Sequence, residues 1–210
     1  MNILITAGPT REPLDPVRYL TNRSSGKMGY AIAGAAAHEG HRVLLISGPT
    51  SLDVPDGIDF IPVETAAEMY EAVANHIGRM DAAVFAAAVA DYTPVHVAVD
   101  KIKKSGETLT LELVKTSDIL GSARREMRFG GFLVGFAAET ENLEENARAK
   151  LERKGCNLVV ANDVSRSDIG FDSEDNEALL VFPDHTEAFA KASKYELAMR
   201  VVQLVEGGNS

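Results

Sequence analysis

Strand-length apolar runs recur along this chain with helix-period stretches between them, and that alternation limits the fold more than any other feature. "NILITAG", "RVLLISG", "IDFIPV", "AAVFAAAVADY", "FLVGFAAET" and "NLVVANDV" read as strands. The intervening "GKMGYAIAGAAAHEG", "TAAEMYEAVANHIGR", "SDILGSARREM" and "NLEENARAKLERKG" read as helices. Several helix ends are marked chemically. Thr65 with Glu68 three residues on forms a capping box, Ser117 or Asp118 opens the third helix, and Gly40 closes the first. Strands that are apolar on both faces need cover on both, so the pattern predicts a doubly wound α/β fold around a parallel sheet. Ligands of such a sheet lie beyond the carboxyl ends of its strands.

The tail adds a strand at "ALLVFPD", a short strand near "EAFAKA" and a helix over "KYELAMRVVQLV". One segment breaks the alternation. "ETLTLELVK", residues 107–115, alternates polar and apolar like a half-exposed antiparallel strand and follows the basic run "DKIKKSG". Residues 92–115 are therefore expected to leave the main sheet as an excursion. With no internal repeat or second domain signalled, residues 1–210 read as one domain, and 45% hydrophobic content suffices for its core.

A formal charge of −10 argues against nucleic acid or an acidic membrane surface as partner. An acidic protein that binds anions must gather its cations locally, so clusters of Lys and Arg are informative. No stretch approaches the roughly 18 apolar residues of a membrane span, and nothing resembles a signal peptide. The one cysteine, Cys156, cannot form an internal disulfide, which fits a reducing cytoplasm; it reads as core packing.

The densest polar stretch is "AGPTREPLDPVRYLTNRSSGKMG", directly after the first strand. Ser24 and Ser25 can cap the next helix, and Gly26 and Gly29 permit close backbone approach. Free N–H groups, hydroxyls and Lys27 at a positive helix end make a phosphate site there. The glycine spacing is not that of a dinucleotide fold, and the second strand ends in Ser47 and Gly48 instead of the carboxylate that would hold a ribose. A nicotinamide cofactor is strongly discounted on both counts. Asp91 and Tyr92 end the fourth apolar run in the expected crevice. Lys101, Lys103 and Lys104 follow as polyphosphate ligands or as a solvated face, while Lys115, Lys150 and Lys154 cannot be assigned from periodicity beyond the shared face of the last two. The histidines (His38, His41, His76, His96, His185) have no metal-ligand spacing, and no catalytic triad can be argued, so the chemistry needs neither a protein nucleophile nor a protein-held transition metal.

Taken together, "TAGPTREPLDPVRYLTNRSSGKMG", "AAAVADY", "KIKK", "GFAAET" and "ANDV", in that order and continuing to about "GFDSEDNEALLVF", resemble the phosphopantothenate–cysteine ligase family of coenzyme A biosynthesis. The likeness is to the ligase half of proteins often fused behind a flavin-dependent decarboxylase, and to its bacterial, CTP-using branch. It implies a Rossmann-like fold. It also implies that the carboxylate of 4′-phosphopantothenate attacks the α-phosphate of CTP, releasing pyrophosphate, and that the amine of L-cysteine then displaces CMP from the acyl-cytidylate. Both nucleophiles are substrates, so the protein orients and neutralises charge, with Mg²⁺ bridging phosphate oxygens.

By the same resemblance the nucleotide site falls on Phe85, Ala86, Ala87, Asp91, Lys101, Ser117, Asp118, Ile119, Leu120, Phe136, Lys150 and Lys154. Asn22 faces the acyl intermediate with Arg18 beside it, and Lys101 reaches the triphosphate from a mobile loop. A carboxamide can donate to and accept from the anhydride without adding charge. "KTSDIL" departs from the common Lys-Asn-Pro-Asp-Ile form, losing a proline beside the nucleotide. Family members are dimers, which makes residues 92–115 and the tail strands the expected dimer surfaces. A non-catalytic nucleotide-binding module on the same fold is the alternative, opposed by the presence of Asn22, Arg18 and Lys101 together.

Overall fold

The computed structural model describes residues 1–104, 106–163 and 175–208; Ser105, Val164 of "ANDV" and the "GFDSE" of the last resembling stretch lie outside them. In chain order the first half holds β1 (Asn2–Ala7), β2 (Arg11–Pro13), β3 (Tyr19–Thr21), α1 (Lys27–His38), β4 (Arg42–Ser47), β5 (Asp59–Pro62), α2 (Ala66–His76) and β6 (Ala82–Phe85). The second half holds β7 (Tyr92–Pro94), β8 (Leu113–Lys115), α3 (Ile119–Arg125), β9 (Phe132–Glu139), α4 (Leu143–Lys154), β10 (Leu158–Asp163), β11 (Asp175–Val181), β12 (Thr186–Ser193) and α5 (Lys194–Gly207).

Eight strands form one sheet in the order β12-β11-β10-β9-β6-β1-β4-β5. The six from β5 to β10 are parallel, and the tail strands β11 and β12 add antiparallel to that edge. Numbered along the chain, the six parallel strands run 3-2-1-4-5-6 across the sheet, the doubly wound order. Alternate residues of β1 enter opposite cores. Ile3, Ile5 and Ala7 pack under α1 and α5, while Leu4 joins the layer of α2, α3 and α4. Both faces are thus covered, as the apolar runs require. The expected capping box of α2 is present, with Thr65 Oγ1 accepting from Glu68 N at 3.2 Å.

Two small antiparallel sheets stand apart, β2 with β3 and β7 with β8. The second confirms that residues 92–115 leave the main sheet, but it corrects the strand expected over residues 107–115. Only its last three residues pair, opposite Tyr92–Pro94. Leu109, Leu111 and Leu113 are all exposed, so the alternation has no core to face. The tail strand near "EAFAKA" is longer than expected, at 8 residues.

Helix α1 meets β1 with almost no clearance. A Cβ on Gly29 would lie 2.5 Å from Ala7 Cβ, so the glycine sets the helix–strand distance. Gly29→Val is expected to cost about 2–3 kcal/mol, read as a lower denaturant midpoint; an unchanged midpoint would mean that α1 has room to retreat.

Candidate active site at the switch point

Strand order reverses between β1 and β6, leaving a crevice at their carboxyl ends. The loop leaving β6 is stapled across it. Ala86 N donates to Thr6 O at 3.1 Å, Ala88 N to Gly8 O at 2.9 Å and Ala90 N to Thr10 Oγ1 at 2.9 Å. From the other side, Thr116 Oγ1 donates to Ala90 O at 2.6 Å and Thr116 N to Asp91 O at 3.0 Å. Asn22 completes the set, its Nδ2 donating to Ala88 O at 3.1 Å and Val89 O at 3.0 Å. The carboxamide expected to offer both donor and acceptor to a ligand therefore commits its donor to the crevice loop here.

Two cavities meet at this loop. The larger, of about 530 Å³, is bordered by Phe85, Ala87 and Asp91 from β6 and its loop and by residues 117–120 at the opening of α3. Phe136, Lys150 and Lys154 face them from β9 and α4. The smaller, of about 420 Å³, is bordered by Asn22, Ser24, Ser25, Gly26 and Lys27 at the head of α1, with Ala86 opposite. Asp91, Phe136 and Lys150 belong to both walls, so the two cavities adjoin at these residues. Every position assigned by resemblance to the nucleotide lines this cleft except Lys101.

Cations are concentrated as an anion site demands. Lys150 Nζ donates to Phe136 O at 2.5 Å, and burial pulls its ammonium below the ordinary lysine value, with Lys154 and Arg153 adding to the effect. Lys154 pairs with Asp118. Burial alone would raise the Asp118 carboxyl, but Lys154, the Gly121 amide and Arg125 outweigh it and hold it below its usual range. Asp118 also caps α3, accepting from Gly121 N at 3.0 Å, which settles the choice between it and Ser117. Cys156 is core packing, as expected. Its thiol is pushed up to about 11 by burial, and it packs behind the cleft, where a Cβ on Gly135 would lie 3.3 Å from its sulfur.

The head of α1 differs from the sequence reading in one respect. Its N-cap is Gly26, at φ 78°, with no side-chain cap, where Ser24 or Ser25 was expected. Ser24 Oγ accepts instead from Gly26 N at 3.3 Å, shaping the turn before the helix. A Cβ on Gly26 would come within 2.7 Å of Thr50 Cγ2, so both its backbone angle and its packing require glycine. Among the described residues no side chain caps this turn, and the positive end of a helix suits an anion. At the end of β4 a Cβ on Gly48 would overlap Pro9 O at 1.8 Å, so only glycine fits where the chain passes the loop after β1.

Arg18 and Lys101 do not join Asn22 in the cleft. They line a third cavity with Lys103 and Lys104. Arg18 is bonded to Asp15 through Nε at 3.0 Å and Nη2 at 2.5 Å, and its Nη2 also donates to Ile102 O at 2.8 Å. Asp15 Oδ2 accepts from Ile102 N at 3.0 Å. The loop expected to be mobile is thus tied at its base, next to Lys101. Arg18 holds the Asp15 carboxyl well below the usual carboxylate range; burial opposes this, and the Val17, Ile102 and Arg18 amides add to it.

A carboxylate whose folded-state pKa is depressed contributes fully above its unfolded value, near 3.9, and loses that contribution as pH falls through the folded one. Amide exchange over residues 95–104, corrected for intrinsic rates, is expected to accelerate relative to β1 below about pH 4. Asp15→Asn should release the same segment at neutral pH. Equal acceleration of both segments would contradict a local tie.

The sequence matches the family described as DNA/pantothenate metabolism flavoprotein C-terminal domain over residues 1–207. The chain belongs to this family. Its sequence is 48% identical over 204 residues to the coenzyme A biosynthesis bifunctional protein CoaBC of Vibrio parahaemolyticus, covering 96% of this chain and 51% of that protein. The CoaBC of Escherichia coli is 49% identical over 187 residues, covering 88% of this chain and 46% of that one. The chain therefore spans about half the length of the curated relatives it matches. A crystal structure of the C-terminal domain of a CoaBC superposes with a TM-score of 0.84 at 41% identity, covering 99% of this chain and 94% of that one. The family expected from the ordered motifs is the one found.

Asn162, Asn176 and Lys194 are among the cleft residues that carried no role in the sequence reading. Asn162 Oδ1 is buried without a hydrogen-bond partner among the described residues and lines the smaller cavity. Its position at the carboxyl end of β10 was a usable signal, since crevice ligands lie there. Asn176 and Lys194 reach the same cavity from β11 and α5, brought there by tertiary packing alone.

Proposed function

We propose that this chain ligates 4′-phosphopantothenate to L-cysteine, using CTP to activate the carboxylate as an acyl-cytidylate. The observation that carries the reading is the shared wall of the two cavities, Asp91, Phe136 and Lys150, because a carboxylate in one can there meet the α-phosphate of a nucleotide in the other. 4′-Phosphopantothenate takes the smaller cavity and CTP the larger. Carboxylate oxygen attacks the α-phosphorus, the bond to the β-phosphate breaks and pyrophosphate leaves. The cysteine amine then attacks the acyl carbon, forming the amide and releasing CMP. Orientation and charge neutralisation supply the rate.

Mg²⁺ enters with the triphosphate. Asp118 is held by Lys154 and Arg125, which leaves Asp91 as the carboxylate in the shared wall for the metal and its waters. Lys101 acts on the triphosphate, and Arg18 on the acyl intermediate beside Asn22, only after the tied loop moves or from a second subunit. Homodimer formation through residues 92–115 is supported by their exposed apolar band, in which Val99 is 89% exposed. No helix among the described residues is long and apolar enough to cross a membrane. Cytoplasmic placement rests on the unpaired thiol of Cys156.

Pyrophosphate release from CTP should require 4′-phosphopantothenate, and amide and CMP should appear only when cysteine is added. Binding of CTP without turnover would favour the non-catalytic module instead. Discrimination between bases follows from backbone groups at residues 85–87 and Phe136 reading the pyrimidine edge, since unsatisfied polar groups reject a mismatched base. CTP is expected to exceed ATP in kcat/KM by on the order of 10²-fold. Equal values would refute the assignment to the CTP-using branch.

A further inference from the structure

Lys194 is the first residue of α5 and is only 6% exposed. A cation at a helix amino end opposes the macrodipole, so the charge works against the helix that carries it. The helix itself does not need the charge, because Ser193 and Glu196 already close a capping box. Ser193 Oγ accepts from Glu196 N at 3.2 Å, and Glu196 Oε2 accepts from Ser193 N at 3.0 Å.

Placement explains the cation better than helix stability does. α5 packs beside α1, and Lys194 and Lys27 both line the smaller crevice cavity and an outer cavity of about 440 Å³. The two lysines therefore stand where the inner and outer cavities adjoin. The outer cavity carries the carboxylate of Asp53. The inner one gathers Arg23, Lys27, Lys150 and Lys194 against Asp91. An anion is drawn to the inner side. Asn176, 2% exposed, and Asn162, with its unpartnered buried Oδ1, line that same inner wall and suit the hydrogen-bonding part of an anionic ligand.

We propose that Lys194 is a phosphate-binding residue of the crevice, holding, with Lys27, a phosphoryl group of a substrate from the α1–α5 side. This rests on the ligase reading for the identity of the substrate. Two sources share the chemistry, the triphosphate of CTP and the 4′-phosphate of phosphopantothenate.

Calorimetric titrations of the whole chain with CTP, 4′-phosphopantothenate and inorganic pyrophosphate distinguish them. Lys194→Met is expected to weaken at least one of the first two ligands on the order of 10- to 100-fold, the range for losing a charge-assisted hydrogen bond. Lys194→Arg should restore most of that affinity. Loss confined to CTP and pyrophosphate assigns the triphosphate; loss confined to 4′-phosphopantothenate assigns the terminal phosphate. If Lys194→Met does not fold, isotope-labelled lysine in the unsubstituted protein replaces it, with the Lys194 resonance assigned through Lys194→Arg. That resonance should shift on adding the phosphorylated ligand.

Wild-type affinity for all three ligands in Lys194→Met, or an unmoved Lys194 resonance, overturns the proposal while leaving any measured ligation intact. Conversely, a chain that ligates nothing but loses pyrophosphate binding on Lys194→Met refutes the ligase reading and keeps the phosphate site.

Discussion

Asn22→Asp is expected to lower amide formation by on the order of 10²- to 10³-fold while a stoichiometric burst of pyrophosphate persists. In the proposed reaction the first half-reaction depends on Lys150, Lys154 and the head of α1, none of which Asn22 Nδ2 bonds. The second needs the carbonyl of the anhydride held against the crevice loop while a small amine reaches it. In the native protein Asn22 Nδ2 bonds Ala88 O and Val89 O, so the carboxamide fixes the loop that forms one wall of both cavities. A carboxylate in its place faces two carbonyl oxygens and repels the negative charge that develops on the acyl oxygen. Mass spectrometry should then recover the acyl-cytidylate. Loss of the burst as well would move Asn22 to the activation step, and normal turnover would remove it from the chemistry altogether.

Lys150→Met is expected to separate activity from stability more sharply than any other substitution in the cleft. Lys150 borders both cavities and is drawn out of water far enough to depress its pKa. In the proposed activation step an ammonium at that junction neutralises the charge that builds on the α-phosphate as pyrophosphate leaves. Its removal should lower kcat/KM on the order of 10²- to 10³-fold. Folding should not suffer in proportion, because replacing a buried charge by a side chain of similar volume is often neutral or stabilising. The expected pair of results is therefore near-complete loss of ligation with an unchanged or raised melting temperature. A loss under threefold, or a melting temperature that falls in step with activity, would make Lys150 structural.

How far the sequence reveals such a site depends on what holds each residue. The parallel strands and their helices were legible because burial on both faces writes continuous apolar runs, and Thr65 and Asp118 because caps are local chemistry. The hairpin of β2 and β3 was not. Its strands are three residues each, and long-range bonds hold them in place, Thr21 Oγ1 to Thr10 O at 2.7 Å and Ala66 N to Glu12 Oε1 at 2.9 Å. Residues 107–115 misled for the opposite reason. Alternation implies a half-buried strand only if a core waits on one side, and none does among the described residues. Lys194 and Asn176 escaped notice because packing of α5 and β11, rather than any motif, delivers them to the crevice. The motif places Arg18 beside Asn22, whereas its guanidinium here binds Asp15 and Ile102 and lines a cavity apart from Asn22, a placement set by long-range contacts that no motif records.

The central claim is that a substrate carboxylate attacks the α-phosphorus where the two cavities join. Following its oxygen atoms tests this most directly. 4′-Phosphopantothenate carrying heavy oxygen in the carboxylate is converted with CTP and cysteine, and the products are weighed by mass spectrometry. Cytidylyl activation transfers one labelled oxygen from the carboxylate to the phosphate of CMP and leaves the other in the amide. Label appearing instead in orthophosphate, with CDP as the nucleotide product, would show attack at the γ-phosphorus and contradict the account.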